Sequence, residues 1–380
     1  MINITDPHSC CGCTACASIC THNAITMRPD VLGFLYPVVD IEQCVNCGLC
    51  DDICAFNEKY DKSYNLPKPI AYGARHNDIN EVASSRSGAA FIAISDYILS
   101  TGGVVYGVGY SENFRVVHKR AETKEQRNEF KGSKYVQSDL SGVFKFVKQD
   151  LRAGLTVLFS GTPCQTAGLH SFVGNKLRDN LILIDIVCHG VPSPYIWRDY
   201  LIYLEKKYSS KICKVNFRDK DKFGWTAHQE SFKFVSGIEK IPYTYTYAFY
   251  KHIIFRHSCE VCKYTNLQRP SDITIADFWG WEKTNTKINA DDKGISLVLC
   301  NTAKGQELFD IIKGCMTIIP VELSKCMQPN MQHPTIMHSQ RINFERDYAN
   351  RGFEYVMKKY GNLGVRYQIN KYILYIKKML

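Results

Sequence analysis

The sequence predicts an α+β protein: a small cysteine-rich N-terminal module followed by a larger mixed α/β domain. Three observations carry this. Residues 10 to 54 hold one four-cysteine spacing twice. Residues 58 to 69, polar and with two prolines, read as a linker. From Ile70 onward, short apolar runs alternate with helix-length segments, the pattern of strands and helices packed in layers. The expected organisation is residues 1–60, two regions of the larger domain at 70–150 and 151–325, and a basic helical tail at 326–380.

The bulk numbers fit a globular chain. With 380 residues and 45% hydrophobic content it can bury a sizeable core. No 18-residue apolar run is present, and the first residues, MINITDPHSC, lack the basic and apolar regions of a signal peptide, so a cytoplasmic location is expected. Seventeen cysteines in a long chain, clustered rather than dispersed, favour metal or redox chemistry over a disulfide scaffold. The net charge of +10 is uneven: residues 1–60 carry seven acids and two bases, residues 326–380 three acids and nine bases. No nucleic-acid motif accompanies the basic balance, so a nucleic-acid partner is not expected.

In the N-terminal module, Cys10, Cys13, Cys16 and Cys20 stand at C-x2-C-x2-C-x3-C, and Cys44, Cys47, Cys50 and Cys54 repeat the pattern 34 residues later. Three closely spaced thiolates wrap three corners of a cubane and the fourth reaches the other cluster. This is the spacing of a bacterial ferredoxin with two 4Fe-4S clusters. One cluster is assigned to Cys10, Cys13, Cys16 and Cys54, the second to Cys44, Cys47, Cys50 and Cys20. Zinc is the competing metal, but its four-ligand sites usually use two separated CxxC pairs. Ala24–Met27 and Phe34–Val39 read as short strands around a turn at Asp30 to Gly33. Thr21 and Ala55 replace the usual proline after each fourth cysteine, and Cys11 is an extra thiol beside Cys10, read as a bystander.

In the larger part, a helix is expected at about 88–100, strands at Val104–Tyr110 and Val116–Arg120, and a helix to about 130. Leu155–Phe159 and Leu181–Val187 are continuous apolar runs, as expected of strands covered on both faces. Asp272–Ala276 and Ile295–Leu299 read as further strands, with a helix after Lys304. Gly102, Gly103, Gly107 and Gly109 do not form a dinucleotide fingerprint.

Four further cysteines follow the strands. Cys164 comes after the first strong run, Cys188 ends the second, and Cys259 and Cys262 form a CxxC. Ligands at the carboxyl ends of adjacent strands can converge with a loop-borne pair, so the four are read as a third iron-sulfur site. Two structural thiols beside a zinc-like or incidental CxxC is the alternative. Ser84-Ser85-Arg86-Ser87-Gly88 precedes an apolar helix, and Lys131-Gly132-Ser133-Lys134-Tyr135 adds cations and an aromatic ring; both loops suit an anion such as a flavin nucleotide. A helix cap and a solvated loop are the plainer readings. Arg218, Lys220 and Lys222 could receive an anionic substrate or form an exposed charged loop.

The segments SSRSGAAF, GGVVYGVGY, FKGSKYVQS, LFSGTPCQTAGL, DIVCHGVPSP and RPSDITIADFWG, in this order, resemble the beta-subunit family of coenzyme F420 hydrogenase/dehydrogenase. The resemblance spans about residues 8 to 325 and implies an FAD and iron-sulfur oxidoreductase with a flavin domain behind the ferredoxin module. It implies a third 4Fe-4S cluster at Cys164, Cys188, Cys259 and Cys262. It implies flavin contacts at Ser85, Gly88, Gly132, Ser133, Lys134 and Tyr135, with Thr162 and His189 close to the reacting ring. The implied partners are a redox protein or ferredoxin-like carrier and a small organic donor or acceptor, a deazaflavin among them. A non-catalytic electron-transfer subunit of a larger complex is the alternative. In the last segment, residues 367–380, isoleucines and tyrosines mix with lysines, a pattern for packing on the domain or for peripheral contact with a membrane or partner.

Overall fold

A computed structural model describes residues 1–57, 61–140, 142–284 and 286–365, together with 367 and 369. The N-terminal module is a hairpin of β1 (Ile25–Pro29) and β2 (Leu35–Val39), paired antiparallel, with the cysteine loops around it. Asp30 shapes the turn by accepting bonds from the Leu32 and Phe34 amides at 2.9 and 2.8 Å. Leu32 and Phe34 are fully buried, but in the core of the larger domain, among Trp197, Tyr200 and Phe255. The hairpin tip is thus planted in its neighbour.

The larger domain is built on an eight-stranded sheet. Its strands are β3 (Asn65–His76), β4 (Val104–Tyr110), β5 (Val116–Ala121), β6 (Val157–Gly161), β7 (Leu181–Ile186), and, after a three-stranded sheet of β8 (Ile212–Asn216), β9 (Ser231–Phe234) and β10 (Glu239–Lys240), β11 (Ile273–Asp277), β12 (Ser296–Thr302) and β13 (Met316–Val321). The order is β13-β3-β12-β11-β7-β6-β4-β5. β4, β6, β7 and β11 are parallel; the others join antiparallel at the two sides. Parallel strands open their carboxyl ends to one edge, which is where ligands bind in such sheets.

The apolar runs in β6 and β7 have the physical cause the sequence suggested. Val157 and Phe159 with Leu181 and Leu183 face one core, against the helices Val143–Arg152 and Pro163–Val173. Leu158 with Ile182 and Ile184 face the other, against Ala90–Ser100 and Ala303–Ile312. Side chains alternate across a strand, so covering both faces requires every position to be apolar.

The expected linker is corrected in part. Its second half begins the longest strand, because β3 starts at Asn65. Pro67 and Pro69 disguised it. Pairing with β12 is interrupted there, passing from Asn65 opposite Thr302 to Ile70 opposite Cys300, and β13 joins only at Ala71, so the missing amides break no regular ladder. The C-terminal region also contains more than a tail. The helix Arg341–Lys359, kinked at Gly352, buries Phe344, Tyr348, Phe353 and Val356 against Trp197 and Tyr200. The membrane or partner contact expected of residues 367–380 falls almost wholly outside the described residues. Among those described, no helix is long and apolar enough to cross a membrane.

Gly88 seats the Ser85–Ser87 loop against the sheet. A Cβ there would lie 2.3 Å from the Ala74 carbonyl oxygen and 2.6 Å from the Ser296 amide, both backbone atoms that cannot rotate away. Gly88→Ala is therefore expected to cost about 1–3 kcal/mol of stability through overpacking, read as a lowered thermal midpoint.

Candidate functional site

The carboxyl ends of the parallel strands surround a cavity of about 400 Å³. After β6 come Thr162 and the helix Pro163–Val173; after β7 come Cys188 and His189; β11 ends at Asp277. Of the expected flavin contacts, Ser85, Gly132, Ser133, Lys134 and Tyr135 line this cavity, as do Thr162 and His189. Gly88 does not. It is a packing residue of the loop, excluded from the wall by its backbone contacts with β3 and β12.

The wall is cationic and aromatic. Arg86, Lys131, Lys134 and Arg218 line it with one carboxylate among the described residues, Asp277, which pairs with Arg218 at 2.5 Å. Two buried polar atoms, Ser85 Oγ and Arg86 Nε, have no hydrogen-bond partner among the described residues, which suits a bound anion. Of the charged loop, only Arg218 reaches the cavity. Lys220 is buried and donates to the Val82 and Lys293 carbonyls, and Lys222 pairs with Glu239, so neither is presented to a substrate. Tyr135 packs edge-on to Phe249 and tilted against His228, whose Nδ1 lies 2.5 Å from Tyr250 Oη. His228, Phe249 and Tyr250 were not foreseen. They stand more than 90 residues from Tyr135 and carry no local motif.

His189 lines the cavity next to Cys188. Burial, then the neighbouring His252, pushes its pKa down to about 4. Its Nε2 lies 2.9 Å from His252 Nε2, and His252 Nδ1 lies 2.9 Å from the Ile336 carbonyl. A carbonyl only accepts, so His252 carries its proton on Nδ1 and His189 donates from Nε2. His189 Nδ1 is left as an acceptor. Thr162 Oγ1 sits 3.2 Å from Cys164 Sγ, while its amide donates to Gln165 Oε1 at 2.9 Å.

Behind this cavity lies a smaller one lined by Cys164, Cys188, Cys259 and Cys262, together with Cys11. The Val191 amide donates to Cys259 Sγ at 3.4 Å. A third cavity, in the N-terminal module, is lined by Cys20, Cys44, Cys47 and Cys50, with the Ile2 amide donating to Cys50 Sγ at 3.3 Å. Cys54 lies near Cys16, which also has Cys10 and Cys13 as neighbours. Among the described residues no three ligating side chains converge on a single ion. These thiols fit a cluster, which needs sulfurs spread around a space and amides directed at them.

Cys11 is more than a bystander in position. Its thiol neighbours those of Cys13 and Cys164, and their proximity, then burial, push it well above the usual range. The neighbouring Cys11 thiol holds Cys164 down, at about 7. Cys13 in turn packs against the helix after β6, where a Cβ on Gly168 would lie 2.7 Å from Cys13 Sγ. The inner half of the N-terminal module and the Cys164 cavity are therefore contiguous.

This fold and this cysteine arrangement define an iron-sulfur electron-transfer protein. Residues 9–57 match the model of a 4Fe-4S dicluster domain. Residues 154–323 match the model of the carboxyl-terminal part of the beta subunit of coenzyme F420 hydrogenase/dehydrogenase. Over these two stretches the chain is thus similar to a 4Fe-4S dicluster domain followed by the carboxyl-terminal part of a beta subunit of that oxidoreductase family. No curated protein matches it. Among solved structures, a chain of the xenon-derivatised F420-reducing nickel-iron hydrogenase complex from Methanosarcina barkeri is similar at 16% identity, covering 78% of this chain and 92% of that chain with a TM-score of 0.48.

Proposed function

We propose that the chain is an FAD-dependent iron-sulfur oxidoreductase that moves electrons between 4Fe-4S clusters and a small organic partner bound at the strand ends. One observation carries the reading. The 400 Å³ cavity and the four-cysteine cavity share a wall, Cys188, His189, Gly190, Val191 and Asn330. A ring in the first would lie against a cluster in the second. Bound FAD would supply the exchange between hydride and single electrons. Ser85 and Arg86 would hold its phosphates with the charge of Lys134, whose Nζ donates to the Glu129 and Lys131 carbonyls, close by; the Tyr135, Phe249 and His228 rings would flank its apolar part, and His189 Nδ1 would accept a hydrogen bond. The family description names coenzyme F420, which makes a deazaflavin the first partner to screen.

Protein purified and reconstituted without oxygen should contain acid-releasable flavin and about twelve iron atoms, as three 4Fe-4S clusters require. Absence of flavin would overturn the reading. Binding should also depend on pH. Burial, opposed by Glu129 and reinforced by Lys119, brings Lys134 down to about 7. Its charge is present below that value and lost above it, so the Kd for FAD should rise as pH increases from about 6 to 8.5. Lys134→Met should flatten this profile.

A second reading, an electron-transfer subunit without its own substrate, is favoured by the outer end of the N-terminal module. Cys47 is exposed there beside Ile41 and Val45, 77% and 60% exposed, with Asp40, Glu42, Asp51 and Asp52 around them. Such a face suits a basic redox partner. Holoprotein that reduces no small carrier alone, yet does so when a partner is added, would favour it.

A further inference from the structure

Arg127, Arg178, Arg256 and Arg269 are the fully buried arginines among the described residues. Three have a carboxylate: Arg127 pairs with Asp96 at 2.6 Å, Arg178 with Asp272 at 2.7 Å, and Arg269 with Asp185 at 3.1 Å. Arg256, 0% exposed, has no carboxylate within ion-pairing distance among the described residues, although Asp30 feels its charge from farther off. It donates to the carbonyls of Cys10 at 2.8 Å and Leu35 at 3.0 Å, and to Gln137 Oε1 at 3.0 Å. Its guanidinium stacks on the Tyr36 ring at 4.1 Å. None of these neutralises it, and a buried charge without a counter-charge costs several kcal/mol.

Thiols stand where the carboxylate is missing. Arg256 Nη2 lies 3.7 Å from Cys10 Sγ, and the same side chain lines the Cys164, Cys188, Cys259 and Cys262 cavity. Gly12 leaves room for it: a Cβ there would lie 2.8 Å from Arg256 Nη1. Thiolates that bind iron are deprotonated, and a cubane with four of them is net negative. The cavity around Cys44, Cys47 and Cys50 has no arginine or lysine in its wall among the described residues.

We propose that Arg256 is the shared counter-charge of the two inner clusters, the one held by Cys10, Cys13, Cys16 and Cys54 and the one in the Cys164 cavity. It raises the reduction potential of both and leaves the outer cluster untouched. The second half of this assignment rests on the three-cluster reading above. A cluster gains one negative charge on accepting an electron, and a fixed cation beside its sulfurs stabilises that state. Electrons leaving the strand-end cavity would thus meet the better acceptors first. Arg256 is a positioning and tuning residue, and no proton moves through it.

The test is an EPR-monitored redox titration of the full chain, reconstituted without oxygen, alongside iron content. Arg256→Gln should make reduction of the inner clusters at least tenfold less favourable, about 59 mV for one electron, with the outer midpoint unchanged. Arg256→Lys, which keeps the charge, should recover most of the shift. If Arg256→Gln does not retain iron, Gln137→Glu decides: it keeps the arginine and sets a carboxylate against it, and should lower the same midpoints. Full iron with inner midpoints unchanged in both Arg256→Gln and Gln137→Glu, or in Gln137→Glu alone if Arg256→Gln loses iron, overturns the proposal. If the unsubstituted chain holds only about eight iron atoms, the three-cluster reading fails, yet the Cys10 cluster must still shift for the Arg256 assignment to stand.

Discussion

Replacing Cys164 by serine is expected to remove about four of about twelve iron atoms per chain and to leave the two N-terminal clusters loaded. Cys164 begins the helix after β6 and lines the four-cysteine cavity, whereas the N-terminal frameworks draw their thiols from residues 10 to 54. Serine is a poor ligand for iron in place of thiolate, and a cubane short of one corner is labile. Iron analysis with Mössbauer or EPR spectra reads the outcome. Unchanged iron content refutes the assignment. Because Cys11 lies in the same cavity, Cys11→Ser is the companion variant: loss of iron there, with Cys164→Ser unaffected, would transfer the ligand role to Cys11.

Asp272→Ala should cost about 3–5 kcal/mol, the penalty for leaving a buried arginine without its partner. Asp272 immediately precedes β11, at the end of the sheet opposite the cavity, and is 1% exposed. It accepts Arg178 Nη2 at 2.7 Å, the Leu183 amide at 2.9 Å and the Thr302 hydroxyl at 2.8 Å, tying β7, β11 and β12 together. Burial alone would raise its pKa, but Arg178 and Lys304 hold it below the usual value. Its contribution is therefore present above the unfolded carboxyl pKa and is lost as pH falls through the folded one. The variant should melt much earlier at neutral pH and show a weaker acid dependence than the parent; equal melting temperatures would refute this.

The parts of the site that were legible share a property: their chemistry is written in local spacing. The two C-x2-C-x2-C-x3-C frames, the strand-end Cys164 and Cys188, and the loops at Ser85 and Lys131 all show a pattern within a few residues. The strands β6 and β7 were legible because both faces are covered. What could not be read depends on chain-distant encounters. His228, Phe249 and Tyr250 are ordinary aromatic positions until the fold brings them to Tyr135. Arg256 offered one faint signal, a basic residue three positions before the Cys259–Cys262 pair, but nothing in sequence says that its carboxylate is missing. Gly88 was misread because a glycine needed for backbone crowding looks the same as one needed for a phosphate.

The turn at Leu32 to Phe34 has a mechanical consequence. Its two apolar side chains join a core that also holds Trp197, Tyr200, Phe232, Phe249 and the apolar side of the helix Arg341–Lys359. The Ser193 hydroxyl and the Tyr195 amide both bond the Leu32 carbonyl, at 2.6 and 3.1 Å. The segment that separates the two cysteine frames is thus also a wedge holding the rest of the molecule in shape. Cutting the chain near residue 60 would not release a self-sufficient ferredoxin and a self-sufficient partner. It would leave one fragment with a greasy tip in water and the other with a hole, so the wiring and the chamber it serves stand or fall as one cooperative body.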